Sequence, residues 1–234
     1  MAGIQPSGLG LPTCIMVSQS QLALSDAAEW LGDWHPLAEQ LGSADGLVTL
    51  GSVSASLRLA PVRNLPSLRQ FLRDYHAQVL LPIELPVIWH AHGHATHHEV
   101  RELVALDRRL LREPVLRAFV PASHRVGQYQ LRKLRPLRDE RVVQRYLHAV
   151  ESDQADGWHT LVYGLTMAVY SLPLRQGLLG YAHQATRSFI YSGARMLCLS
   201  EHQCRALFDA LSAGLSAALE ALLAQPAGGS AQSF

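Results

Sequence analysis

Five histidines fall within nine residues, in the run WHAHGHATHHE: His90, His92, His94, His97 and His98. A neutral imidazole nitrogen is a good donor to zinc, nickel or copper near neutral pH, so the run asks first about metal handling. On a helix, His90, His94 and His97 or His98 share one face, and His94 and His98 form an i, i+4 chelating pair. His92 lies elsewhere on such a helix, and Gly93 weakens it. The competing reading is an exposed polar turn ahead of a helix. The run is not a zinc-protease motif, because Glu102 stands four residues after His98. Glu99 and Asp107 are the nearest carboxylates for any hydrolytic metal site. A second small constellation, Cys198, His202 and Cys204 in CLSEHQC, matches no standard zinc module.

Helices must position these groups. Leu68, Phe71, Leu72, Tyr75 and Val79 share one helical face behind Pro66. Val100, Leu103, Val104, Leu110 and Leu111 make a second stripe, which Pro114 ends. Residues 121–134 give a third helix before Pro136, and Val142, Val143, Tyr146, Leu147 and Val150 a fourth before Asp156-Gly157. Two more helices flank Pro173, and Ser200 with Gln203 forms a capping box that opens the last. Only GLVTLGSVSASLRL, near residues 46–59, suggests an extended segment. The expectation is one all-α domain, a bundle of about seven to nine helices over residues 21–225. Residues 1–20 read as an irregular N-terminal segment and 226–234 as a flexible tail.

Composition narrows the function. A net charge of +1 predicts no overall attraction to nucleic acid or acidic lipid. Residues 101–145 carry twelve basic and five acidic side chains, a local +7, but only Phe119 and Tyr129 are aromatic there. That pattern favours a solvated face or an acidic protein partner over nucleic acid. Three cysteines suit reducing conditions, and the uncharged run Gly157–Leu174 is interrupted by His159, Gly164 and Pro173. A cytoplasmic protein with no membrane span is expected. No nucleophile elbow, P-loop, dinucleotide turn or carboxylate pair argues for an enzyme.

The order of the later helices resembles the UreF family of urease accessory proteins. His159 and Gly164 match a His…Gly element, with Leu161 where the family usually has Pro. Ser171-Leu172-Pro173 matches a turn, and Ala194-Arg195-Met196 a helix end. Upstream, Leu106-Asp107 resembles an LxxLD segment, and Ala122, Ser123 and Gly127 an ASxxxG segment. The family's early Ser-x-Gly-Leu-Glu motif is missing; residues 40–62 carry GSADGLVTLGSVSASLRLAPV instead. The resemblance implies an all-helical, homodimeric, non-enzymatic scaffold. It would bind a UreD-like protein (also called UreH) and a UreG-like GTPase, and help deliver nickel to apo-urease. It also implies partner-interface positions at Arg195, Ala194, His159 and Gly127, and no required cofactor beyond a possible nickel or zinc ion. The alternative is a stand-alone helical metal-binding or metal-sensing protein that uses His90–His98.

Overall fold

The computed structural model describes residues 48–224, so the expected irregular N-terminal segment and flexible tail lie outside the described residues. Ten α-helical segments follow one another: α1 (Leu50–Ser56), α2 (Leu65–Tyr75), α3 (Leu85–Thr96), α4 (Val100–Leu110), α5 (Val120–Lys133), α6 (Arg141–Glu151), α7 (His159–Val169), α8 (Leu174–Leu197), α9 (Glu201–Ser212) and α10 (Leu215–Leu223). A π-helical stretch, His76–Glu84, joins α2 to α3 without a break. Glu201–Leu223 also runs on as one rod, so the ten segments make eight rods. No strand occurs among the described residues. The fold is an all-α bundle, as the hydrophobic periods predict.

Residues 50–56 correct one expectation, because they are helical and not extended. The Thr49 side chain accepts the Ser52 N–H at the helix start. Leu50, Val53 and Leu57 are buried at the spacing of one helical face.

Elsewhere the local signals act as read. Asn64 and Ser67 form a capping box at α2, and Ser200 and Gln203 another at α9. The sequence did not announce the join between α2 and α3. The chain passes Pro82 inside the π-helical stretch, where the wider turn carries a residue without an N–H donor. That stretch buries two ionisable side chains. Tyr75 donates to Glu84 at 2.7 Å, and His76 Nε2 lies 2.8 Å from the Thr186 hydroxyl of α8.

The core centres on α7, where every residue from His159 to Met167 is buried. Its closest partner is α3. Gly164 sets that approach, since a Cβ there would lie 2.5 Å from the Ile88 carbonyl oxygen. Helix α8 crosses the bundle and contributes Phe189 to an aromatic cluster, with centroids 5.4 Å from Phe71 and 4.8 Å from Tyr75.

Candidate functional site

The histidine run divides at the end of α3. His90, His92 and His94 are helical and half-buried; His97 and His98 are exposed in the turn beyond. The turn is a Schellman motif. Glu99 N–H donates to the His94 carbonyl at 2.8 Å, and His98 N–H to the Ala95 carbonyl at 3.1 Å. His98 takes the left-handed position, with φ +58. The i, i+4 relation expected of His94 and His98 is therefore lost, because the helix stops at Thr96.

Each ring has its own local environment. His94 Nδ1 meets Glu99 Oε2 at 2.7 Å, which holds the Glu99 carboxyl below its ordinary range. His97 Nδ1 donates to the Gly93 carbonyl at 2.8 Å. His90 stacks near His94, with centroids 6.3 Å apart, and burial pushes its pKa down. Burial also lowers His92. No group of three or more His, Cys, Asp or Glu among the described residues is arranged to hold a metal ion. The five histidines are not gathered into one ligand set among the described residues. Cys198, His202 and Cys204 do not converge either: Cys198 ends α8 in a left-handed conformation, and Cys204 is buried in α9.

The small-residue motifs have a clear structural use. Asp107, wholly buried on α4, faces the loop between α6 and α7. Its Oδ1 accepts the Asp156 N–H at 2.6 Å, and its Oδ2 accepts Gly157 N–H at 3.0 Å and Trp158 N–H at 3.3 Å. The Tyr146 hydroxyl donates to the same Oδ2 at 2.5 Å. Ser123 Oγ accepts the His159 N–H at 3.0 Å. Gly127 lets that loop lie against α5, since a Cβ there would fall 2.0 Å from the Gly157 carbonyl oxygen. Asp107, Ser123, Gly127 and Gly157 thus seat the start of α7.

Three of the four expected interface positions are buried within the chain. His159 has no exposed surface and Gly127 is buried, so both pack the interior. Ala194 is also buried, and of the four only Arg195 is exposed.

A family model named UreF matches residues 62–212, more than half of the chain. The chain belongs to the UreF family. UreF proteins are accessory to urease and do not form a catalytic family, which places this chain in a urease accessory role. No curated protein matches the chain. The matched span includes Asp107, Ser123, Gly127 and Gly157, which seat the start of α7.

Its most distinctive surface lies at and beyond the end of that span. Met196, beside Arg195, is half exposed. Glu201–Leu223 contains a stretch with mean hydropathy 1.5, yet only 22% of it is buried. By length and composition alone this rod is apolar enough to cross a membrane. Its sequence nevertheless places Arg205, Asp209 and Glu220 along the rod, and Glu220 pairs with Arg175 of α8 at 2.5 Å. Its apolar side faces the bundle: Leu207, Leu215 and Leu219 are buried and Leu211 and Leu222 half-buried, while the exposed positions are polar residues, Ala and Gly.

Proposed function

We propose that this UreF-family chain is a non-enzymatic scaffold of urease maturation. It binds a UreD/UreH-like protein and a UreG-like GTPase, acts as a homodimer, and helps pass nickel to apo-urease in the cytoplasm. Nickel is cargo in this reading, and the chain needs no cofactor of its own. The observation that carries it, beside family membership, is the exposed Met196 beside the exposed Arg195. Arg195 and Met196 sit where the rod leaves α8, and supply the aliphatic and guanidinium groups that interfaces favour.

The test is co-expression with UreD-like and UreG-like partners, followed by size-exclusion chromatography with and without Ni²⁺. Co-elution with a partner, lost in a Met196→Asp variant, is the expected result. A chain that stays monomeric and retains neither partner refutes the reading.

A further inference from the structure

The basic stretch 101–145 is not used by the assembly surface above. It carries +7 while the whole chain carries +1, so the rest of the chain carries −6, the difference of the two. Charge is therefore uneven along the sequence. Arg132, Lys133, Arg135, Arg138, Arg141 and Arg145 are all exposed around the end of α5, the following turn and the start of α6. Among the described residues only Arg135 of these is ion-paired, with Glu151. Lys133 instead places its ammonium 4.4 Å from the centre of the Tyr129 ring.

A groove of about 400 Å³ opens beside this patch, between the α3–α4 corner and α6. His98, Val100, Asp139, Arg141, Val142 and Arg145 line it. Val142 is buried and Val100 half-buried, which gives the groove an apolar floor. Arg141 and Arg145 stand one helical turn apart, so both guanidinium groups rise on the same side. They also sit in the first turns of α6, where the helix dipole adds partial positive charge. Neither pairs with a carboxylate of the described residues.

Two arginine forks above an apolar floor match a carboxylate on a short aliphatic stem. Free phosphate has nothing to place on the floor. A nucleic acid would need rings for its bases to stack on. The groove's lining holds no Phe, Tyr or Trp.

We propose that this groove docks an acidic segment of a partner protein, with a Glu or Asp carboxylate held between Arg141 and Arg145. The inference uses no property of urease maturation and stands whether or not that reading holds.

The test uses the full purified chain and fluorescence anisotropy. The probe is a short labelled peptide of Glu, Leu and Gly, with a Gln-for-Glu analogue, a single-stranded DNA of equal charge and inorganic phosphate as competitors. The acidic peptide is expected to bind, and to weaken as salt rises from about 0.05 M to about 0.3 M. Arg141→Gln/Arg145→Gln should lose about tenfold in affinity, since close charged pairs dominate such contacts. Arg112→Gln/Arg117→Gln, which removes equal charge from exposed positions outside the groove, should lose about threefold or less. Asp139→Asn removes the groove's own carboxylate and should tighten binding by about threefold, a gain that no loss of folding can imitate. The proposal is overturned by any of four results: no binding of the acidic peptide, equal losses in the two double variants, an unchanged Asp139→Asn, or DNA or phosphate displacing the peptide at equal charge.

Discussion

Replacing Asp107 by Ala removes one side chain and strands four donors. Gly157 N–H, Trp158 N–H and the Tyr146 hydroxyl are buried, and Asp156 N–H is partly so. Each buried donor left without a partner costs about 1 kcal/mol or more, which gives about 3 to 4 kcal/mol in total. Loss of one member of a buried charged network falls in the same range, about 3 to 5 kcal/mol. In a chain of this size that is a fall in melting temperature of about 10 °C. Tyr146→Phe removes a single donor, while the carboxylate keeps its three backbone N–H partners, so about 1 kcal/mol is expected. The two changes should not add. Once Asp107 is gone, the Tyr146 hydroxyl has already lost its acceptor, and the double variant should match Asp107→Ala to within a few tenths of a kcal/mol. Urea unfolding of the four proteins measures the cycle. A loss below about 1 kcal/mol for Asp107→Ala, or strict additivity, would refute the view that this carboxylate seats the start of α7.

Acid should weaken the fold in a defined window. Burial pushes His76 and His183 from an ordinary 6.5 down to about 4, with the Arg187 charge adding to the effect at His183. Both are then neutral when folded but protonate at 6.5 when unfolded, so stability is full above about 6.5 and falls as pH drops toward about 4. The slope approaches at most about 2.7 kcal/mol per pH unit for two protons, and His76→Gln should halve it in chemical unfolding at several pH values. His98→Gly should stabilise by about 1 kcal/mol in thermal unfolding, because it relieves a left-handed non-glycine residue at the Schellman turn. Gly164→Ala should destabilise by about 1 to 3 kcal/mol or more, since its Cβ meets the Ile88 backbone at 2.5 Å. Calorimetric titration with Ni²⁺ or Zn²⁺ should find binding weaker than micromolar. His94→Ala/His98→Ala should change it little, because the two rings no longer share a helical face.

Much of the fold was legible because its signals are local. Apolar spacing, the caps at Asn64 and Ser200, and the stops at Pro114, Pro136 and Gly157 act within a turn or two of chain. The candidate site was less legible, because it depends on where chain segments meet. The histidine run was plain as composition, but a Schellman turn after Thr96 separates its members. Gly127 and His159 were found by motif and given a surface role. Their spacing reports instead a loop pressed against α5, which periodicity cannot distinguish from an interface. The Arg141–Arg145 groove was visible only as part of a basic stretch, because its other wall, His98 and Val100, comes from a distant corner.

The sequence by itself determined the helical class, most of the helix ends and the family, since these rest on short-range periodicity and on motif order. The tertiary structure decided what each motif is for. A buried carboxylate needs donors from elsewhere in the chain, and Asp107 finds them in residues 146 and 156–158. A glycine matters where another backbone approaches, and an apolar stripe is covered only where another helix lies against it, as Leu207, Leu215 and Leu219 are. Each of these depends on contacts between residues far apart in the chain, and no local pattern encodes them.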